Sequence, residues 1–360
     1  MQLAYQAAGV DTEKEEVAVQ RLASRISQTW PKPGEFGSVR LPVGFFANVI
    51  DIGGFGLAMT TDGVGSKVVI AQMMERYDTI GIDCVAMNVN DLLCVGATPV
   101  SMVDYIALQD ADPDLMEQIA IGLCDGAKLA RVSITGGETA QLSDLLKEGY
   151  MGRPAFDLAA SAVGTVPLDR IVVGESLKPG DSLIGIESNG IHSNGLTLAR
   201  RVLFEQNHFT VGTSLPGLNG SLGEELLKPT HIYVQEVLEI LQQIQEVKAL
   251  IHITSDGFIN LVRVKADVGY VIESLPSIPP IFSLIQKHGN VSNAEMFEVF
   301  NMGIGFCVVV PEEQVDWVIR IVRSHGKNAE RLGHVVADKE KQVTIKPFGI
   351  VGKGKRFRPL

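Results

Sequence analysis

The sequence is poor in cysteine, and its few cysteines form no pattern. Cys84, Cys94, Cys124 and Cys307 stand apart in apolar stretches, and no two of them have CxxC spacing. Zinc sites and the disulfide frameworks of secreted proteins depend on closely spaced or paired cysteines. The sequence therefore predicts reduced, buried thiols of the kind found in cytosolic proteins.

An excess of positive charge and long apolar runs are also missing. The formal net charge is −11, whereas nucleic acids and acidic membrane surfaces are bound by basic faces. No uninterrupted apolar run approaches the roughly 20 residues of a membrane helix. Residues 1–5 (MQLAY) lack a basic segment followed by an apolar one, so no signal peptide is expected. We therefore expect a cytoplasmic protein that binds neither nucleic acid nor membranes.

The chain is long and rich in glycine. The chain has 360 residues, 37 of them glycine, and this length suits two domains. Strand patterns alternate with helix patterns in both halves, which favours an α/β or α+β fold. The strand patterns include residues 182–187 and 268–272, and the helix patterns include residues 80–95, 195–206 and 230–246. We predict an N-terminal domain over residues 1–168, a C-terminal domain over 169–345 and a basic tail over 346–360. The tail is interpreted as a solvated end rather than as a phosphate-binding segment.

Three acidic residues in the first half occupy unusual positions. Asp62 is predicted in a glycine-flanked loop after a strand, Asp91 lies inside an apolar helix, and Glu138 follows two glycines at a strand end. Such carboxylates suit Mg²⁺ held together with nucleotide phosphates, and Lys67 at a helix start can reach a phosphate. Taken singly, each acid also fits a structural role, as a turn residue, a buried hydrogen-bonding group or the neighbour of a helix cap. Their combination favours a metal–nucleotide site.

The glycine-rich segments match neither common nucleotide-binding fingerprint. No GxxxxGK[ST] loop occurs, and residues 53–56 (GGFG) lack the third glycine and following helix of a dinucleotide-binding motif. Another candidate is the segment 190–195 (GIHSNG), which separates a strand from a helix. His192 there can contact a phosphate or transfer a proton. Alternatively, Ser193 or Asn194 caps the helix and His192 is merely exposed; the spacing leaves both interpretations open.

Ordered motifs along the chain resemble those of a known superfamily. Residues 91–99 (DLLCVGATP) match the D-x₄-G-A-x-P signature of the PurM superfamily. Further segments resemble those of aminoimidazole ribonucleotide synthetases: AYQAAGVD at 4–11, TDGVGSK at 61–67, DTIGID at 78–83, GGETA at 136–140, HSNG at 192–195, KPTHIY at 228–233 and FNMGIG at 300–305. Because these segments occur in family order, the chain is identified as a member of the superfamily that is most similar to the synthetases.

The resemblance implies a two-domain PurM-like fold whose N-terminal sheets pair into a barrel across a homodimer. It implies ATP and Mg²⁺ as cofactors and ATP-dependent ring closure of a small phosphorylated substrate, formylglycinamidine ribonucleotide, in purine biosynthesis. The implied nucleotide-binding residues are Asp62, Gly63, Lys67, Asp83, Asp91, Gly136, Gly137, Glu138, Thr139, Ser193 and Asn194. The implied catalytic residues are His192, Asp62 and Lys67, and the implied metal ligands are Asp62, Asp91, Glu138 and Asp256.

Three departures from the family pattern bear on the substrate. Glu35 replaces a glycine of the family's nucleotide loop, and His231 stands where the family has arginine, which loses a permanent charge and a bidentate donor. Residues 255–257 (SDG) resemble the segment of thiamine-monophosphate kinases in which an aspartate binds Mg²⁺, so Asp256 is expected to face the same cleft as Asp62. The alternatives are a diverged enzyme that acts on another small phosphorylated metabolite and a non-catalytic nucleotide-binding paralogue.

Overall fold

The structure, a computed structural model, describes residues 12–360, so the motif at residues 4–11 lies outside the described range. The helices are α1 (Thr12–Ile26), α2 (Lys67–Met74), α3 (Ile80–Leu93), α4 (Pro113–Ala130), α5 (Leu196–Arg200), α6 (Leu222–Leu226), α7 (Val234–Gln243), α8 (Pro280–Gly289), α9 (Asn293–Val299) and α10 (Val315–Ser324). The strands are β1 (Asn48–Asp51), β2 (Phe55–Gly63), β3 (Thr98–Leu108), β4 (Ser133–Gln141), β5 (Phe156–Pro167), β6 (Ser182–Glu187), β7 (Ala249–His252), β8 (Val268–Ile272), β9 (Ile304–Val310), β10 (Ala329–Ala337), β11 (Val343–Ile345), β12 (Ile350–Lys353) and β13 (Arg356–Pro359).

The first sheet belongs to the N-terminal half and has the strand order β1-β2-β5-β3-β4. Its strands pair antiparallel except for β3 and β4, which are parallel. Helix α3 packs on one face of this sheet, and α4 packs against α3. Glycines permit this close helix packing, because a Cβ on Gly81 would lie 2.2 Å from the backbone N of Leu123. Helix α3 is therefore buried almost all round, and its polar side chains are held in fixed positions.

Within residues 12–360, nothing covers the opposite face of the first sheet. Val103 and Tyr105 on β3 expose 46% and 41% of their surface. The neighbouring strand β4 is exposed along most of its length. Large apolar side chains that are grouped on an exposed face mark an interaction surface.

The second sheet has the order β13-β12-β11-β8-β10-β6-β9-β7. Strands β6 and β9 are buried along nearly their whole length, as expected for continuous apolar runs. Helix α10 covers β6 and β10 with fully buried Val318 and Val322. The strands predicted at residues 182–187 and 268–272 are confirmed.

Residues 346–360 are part of the second sheet, so their interpretation as a solvated end is wrong. Strands β12 and β13 form a hairpin that pairs with β11. Phe357 on β13 is only 6% exposed. Arg356 and Arg358 flank Phe357, which is the alternation of a half-buried strand. The basic composition of the segment masked this pattern.

Two glycine-rich segments, one predicted as a loop and the other at a strand end, belong to strands. Asp62 and Gly63 are the last residues of β2, and residues 136–139 lie within β4. Gly137 faces Asp104 on β3, and a Cβ on Gly137 would lie 2.5 Å from the Asp104 carbonyl oxygen. Glycine is needed there for close strand pairing rather than for a turn.

Smaller differences concern two helices and one thiol. The helix predicted over residues 195–206 is α5 followed by a π-helical turn, Arg201–Gln206, and the one predicted over 230–246 is the shorter α7. The four cysteines are unpaired, but Cys124 is exposed on α4, so the prediction of buried thiols is wrong at that position. Within residues 12–360, no helix is both long and apolar enough to cross a membrane.

Candidate functional site

Three polar side chains come together where the two halves of the chain touch. Asp91 near the end of α3 and His252 at the end of β7 are in hydrogen-bond contact, with 2.9 Å between Asp91 Oδ1 and His252 Nδ1. His252 is fully buried, whereas the Asp91 side chain keeps 14% of its surface. Asp62 at the end of β2 is close enough to Asp91 for their charges to interact. The sequence singled out both aspartates but not His252, although a histidine that ends a buried strand before a polar loop is a usable signal.

The surroundings of Asp62 disfavour the ionised form of its carboxyl group. Burial, with the negative charge of Asp91 adding to it, raises the pKa of Asp62 to about 6. The backbone N–H of Gly63 donates to Asp62 Oδ1 at 2.7 Å and opposes this rise. A divalent cation held by the two carboxylates would offset both the energetic cost of burying ionised Asp62 and its repulsion by Asp91. The pair therefore fits Mg²⁺, which proteins hold through one or two carboxylates together with phosphates.

Glu138 does not join this pair. Asp62 on β2 and Asp104 on β3 both pair with Ala160 on β5, the strand that lies between them. Gly137 on β4 pairs with Asp104 from the far side of β3. Because neighbouring strands lie about 4.8 Å apart, roughly 14 Å separates the backbones of Asp62 and Gly137. In the part of the chain that the structure describes, no three His, Cys, Asp or Glu side chains are grouped as a metal site. The four predicted metal ligands are therefore not assembled in the single chain.

Lys67 and Asp83, both predicted nucleotide contacts, form a buried ion pair. Lys67 Nζ lies 2.8 Å from Asp83 Oδ1 and donates to the carbonyl oxygen of Lys228 at 2.6 Å. The same Asp83 oxygen accepts from the backbone N–H and the hydroxyl of Thr230, at 2.7 and 2.6 Å. Neither charged side chain has exposed surface. The structure thus corrects the expectation of an open Lys67, because its ammonium ties α2 and α3 to the segment 228–231.

His192 is buried in the loop before α5, with a left-handed backbone at φ 61°. Its Nε2 accepts from the backbone N–H groups of Asn189 and His231, at 3.0 and 3.4 Å. A ring nitrogen that accepts carries no proton, so we assign the proton to Nδ1. Nδ1 is buried and has no hydrogen-bond partner among residues 12–360. Burial lowers the pKa of His192 well below its usual range, which keeps the ring neutral and makes Nδ1–H a donor. The alternative of an exposed His192 is wrong.

Ser193 and Asn194 do not cap the following helix. The residue at the N-cap of α5 is Gly195, at φ 77°, and no side chain caps the helix there. Ser193 Oγ instead lies 3.2 Å from the hydroxyl of Thr230. The His192 loop and the segment 228–231 therefore contact each other through side chains as well as backbone.

His231, one of the three departures from the family pattern, is largely buried. Burial and the nearby charge of Lys327 lower the pKa of His231 to about 4, so its ring is neutral and supplies hydrogen bonds rather than charge. His231 lines a cavity of about 370 Å³ together with Lys327 and Gln235.

Glu35 is exposed, and its carboxylate accepts from the backbone N–H of Lys32 at 3.0 Å, which closes a local turn.

Asp256, the third departure, is already paired. Its Oδ2 contacts the ammonium of Lys355 from the C-terminal hairpin. Its backbone is left-handed, at φ 71°, a conformation that aspartate adopts more readily than most residues other than glycine. The loop after His252 therefore carries a carboxylate whose charge is compensated within the chain.

Both halves of the chain match one protein family. The N-terminal domain of AIR synthase related proteins matches residues 46–166, and the C-terminal domain matches residues 178–346. Relatives named phosphoribosylformylglycinamidine cyclo-ligase match nearly the whole chain. The one from Methanothermobacter thermautotrophicus is 46% identical over 331 residues, 92% of this chain and 94% of that protein. The one from Pyrococcus horikoshii is 44% identical over 352 residues, 97% of this chain and 99% of that protein.

Solved structures share the fold at lower identity. A chain of the HypE–HypF complex superposes with a TM-score of 0.60 at 20% identity, covering 86% of this chain and 92% of that one. Thiamine-monophosphate kinase from Stenotrophomonas maltophilia K279a gives a TM-score of 0.60 at 21% identity, covering 85% and 90%. These similarities confirm the two-domain PurM-like fold.

Proposed function

Because the chain belongs to the phosphoribosylformylglycinamidine cyclo-ligase family, we propose that it uses ATP to close the imidazole ring of formylglycinamidine ribonucleotide in purine biosynthesis. The observation that carries this proposal is the identity of 42–46% over at least 92% of the chain to proteins of that name. The accessible Asp91, oriented by buried His252, supplies a carboxylate site where the two halves meet. We place the reaction in the reducing cytoplasm, which suits four unpaired cysteines.

The reaction turns a poor leaving group into a good one. The terminal phosphoryl group of ATP passes to the formamide oxygen, so that the bond to ADP breaks and a new P–O bond forms. An amidine nitrogen of the substrate then attacks the activated carbon and loses a proton, and phosphate leaves with the former formamide oxygen. The chain must position two phosphorylated reactants and stabilise negative charge on the transferred group.

Asp62 and Asp91 are the proposed Mg²⁺ ligands. When bound, the cation offsets the charge of the nucleotide phosphates. His252 fixes the orientation of the Asp91 carboxylate through its 2.9 Å contact, as an outer partner does for a metal-ligating group. Glu138 and Thr139, on the exposed strand β4, stay proposed nucleotide contacts at the edge of the sheet.

His192 is proposed to act as a neutral hydrogen-bond donor through Nδ1–H toward an oxygen of a reactant. The support is its tautomer, since Nε2 accepts from two backbone N–H groups and Nδ1 has no partner in the part of the chain that the structure describes. The ring is 1% exposed, so a reactant reaches it only after the loop shifts. Gly190 and Gly195 flank the loop and both have left-handed backbones, which gives it two permissive positions.

Replacing His192 by asparagine or by glutamine separates the two ring nitrogens. Asparagine places an amide N–H near the position of Nδ1, whereas glutamine places its amide near Nε2. We expect His192→Asn to keep kcat within about tenfold of the wild type and His192→Gln to lose about 100-fold. The pH–rate profile should show no step assigned to His192 between pH 6 and 8, because its pKa is lowered. Equal losses in both variants, or a step near pH 6.5 that the Asn variant lacks, would contradict the assignment.

A coupled assay for ADP release tests the function itself. We expect release that requires formylglycinamidine ribonucleotide together with Mg²⁺, and formation of the ring-closed product by mass spectrometry. Asp91→Asn should lower kcat/KM by about 100-fold or more, and Asp144→Asn, at an exposed position, is the matched control. ADP release with another phosphorylated amide only would indicate a diverged enzyme, and no turnover with intact ATP binding would indicate a non-catalytic paralogue.

We further propose a homodimer formed through the uncovered face of the first sheet. Val103 and Tyr105 supply the exposed apolar surface, and pairing two such sheets removes it from water. Light scattering should give about twice the chain mass. Val103→Glu should shift this mass to that of a monomer, whereas Trp317→Glu, an equally exposed position on α10, should not. A wild-type monomer would rule the dimer out.

A further inference from the structure

The C-terminal hairpin brings a lysine to the loop that follows the Asp91–His252 contact. Lys355 lies in the turn between β12 and β13, and its ammonium pairs with Asp256. Asp256 follows His252 by four residues, so Asp256 lies in the loop that continues from the candidate site. Both side chains keep accessible surface, 35% for Lys355 and 22% for Asp256. A ligand can therefore reach this pair, unlike the buried pair of Lys67 and Asp83.

The Asp256 loop is held against helix α9. Gly257 lies so close to this helix that a Cβ would be 2.1 Å from the carbonyl oxygen of Phe297. The side chain of Asn260 donates to the carbonyl oxygens of Ser255 and Gly257, at 2.6 and 2.9 Å. These contacts fix the backbone on both sides of Asp256.

The hairpin that carries Lys355 is anchored on the same helix. The backbone N–H of Phe357 donates to Glu298 Oε1 at 2.6 Å, and the Arg356 guanidinium donates to Glu298 Oε2 at 3.2 Å. The rings of Phe357 and Phe297 lie 6.4 Å apart. Helix α9 is thus a common base that holds Lys355 and Asp256 facing each other before any ligand binds.

We propose that Lys355 contacts the phosphate group of a reactant and that Asp256 is the positioning residue that holds its ammonium. This rests on the proposed function, whose reactants carry the phosphates. An ammonium has three N–H donors; Asp256 accepts one, and the others remain for phosphate oxygens. Because Lys355 compensates its charge, Asp256 does not repel an approaching phosphate as an isolated carboxylate would. Asp256 then acts on phosphate binding rather than as the Mg²⁺ ligand that the kinase-like segment suggested.

Steady-state kinetics of Lys355→Met, Lys355→Arg and Asp256→Asn test the proposal. We expect Lys355→Met to raise KM about tenfold for one reactant, ATP or formylglycinamidine ribonucleotide, with kcat within twofold. The reactant that is affected identifies whose phosphate is contacted. Lys355→Arg should stay near the wild type, and Asp256→Asn should give a smaller rise in the same KM without changing the Mg²⁺ concentration for half-maximal rate. Lys353→Met is the matched control, since Lys353 lies on the same hairpin and pairs with Glu340 at 2.7 Å.

Binding measurements separate failure of this proposal from failure of the proposed function. Calorimetric titrations with ribose 5-phosphate and with ATP in MgCl₂ need no turnover, and Lys355→Met should weaken one of them about tenfold. Unchanged KM values and unchanged binding in this variant would show that the pair is only a surface salt bridge and overturn the proposal. A shifted Mg²⁺ requirement in Asp256→Asn would overturn it in favour of a metal ligand. A wild-type protein that binds but does not turn over refutes the ring-closing function alone.

Discussion

Replacing Lys67 with methionine is expected to lower the free energy of unfolding by about 3–5 kcal/mol. The substitution leaves Asp83 buried and without its cation, and in the described part of the chain Asp83 Oδ2 already has no hydrogen-bond partner. It also removes the donor to the Lys228 carbonyl oxygen. Methionine fills a similar volume, so the loss reports the unpaired charge rather than a cavity. Urea unfolding monitored by circular dichroism at pH 7.5 measures this change.

Two further variants sharpen the result. Lys67→Met combined with Asp83→Asn should recover part of the loss, because the remaining buried group carries no charge. Lys128→Met removes a pair whose side chains are 76% and 53% exposed and should cost less than about 1 kcal/mol. Wild-type stability in Lys67→Met together with lost ATP binding would contradict the buried-pair interpretation and return Lys67 to the nucleotide site.

The Lys67–Asp83 pair is one of several contacts through which α3 aligns the two halves. Asp83, Asn90 and Asp91 are spaced by seven and one residues, which places them on one side of the helix. Asp83 binds Thr230, and Asn90 accepts from the backbone N–H of Tyr233 at 3.0 Å. Asp91 contacts His252. One helix of the N-terminal half therefore fixes the two C-terminal segments that orient His192 and Asp91.

Local patterns were sufficient for most of the fold. The helix carrying Asp91 was predicted within two residues of its observed end, and the strand at 182–187 was predicted with its observed bounds. Both segments are long apolar runs whose burial follows from their own composition. Glycines were misleading where they serve strand pairing, as Gly137 does against Asp104.

The site was less predictable because its contacts join distant parts of the chain. Lys67 meets the carbonyl of Lys228, 161 residues away in sequence, and Asp91 meets His252 across the same separation. No spacing rule predicts such partners, so Lys67 seemed free and His252 was not selected. The pairing of Asp256 with Lys355, 99 residues apart, was hidden in the same way by a tail that looked solvated.

Asp62→Asn is expected to stabilise the metal-free protein by about 2–3 kcal/mol at pH 8. Burial and Asp91 raise the pKa of Asp62 from 3.8 to about 6, so the folded chain binds more protons than the unfolded chain between these two values. The free energy of unfolding of the wild type therefore falls as pH rises through this window and stays lowered above it. Asparagine carries no charge at any pH, so the variant avoids this loss. Urea unfolding of both proteins in EDTA, from pH 3 to pH 8, measures the difference.

The informative quantity is the difference in the free energy of unfolding between the two proteins at each pH, because other carboxylates titrate in the same range and affect both proteins. It should be near zero at about pH 3, where Asp62 is mostly protonated in both the folded and unfolded wild type, and constant above about pH 7. Adding Mg²⁺ and ATP should stabilise the wild type at pH 8 and leave Asp62→Asn nearly unchanged, since the cation binds the ionised carboxylate. Asp144→Asn serves again as the exposed control. A difference that does not vary with pH would show that burial does not raise the pKa of Asp62. Equal stabilisation of both proteins by Mg²⁺ and ATP would show that Asp62 is not a metal ligand.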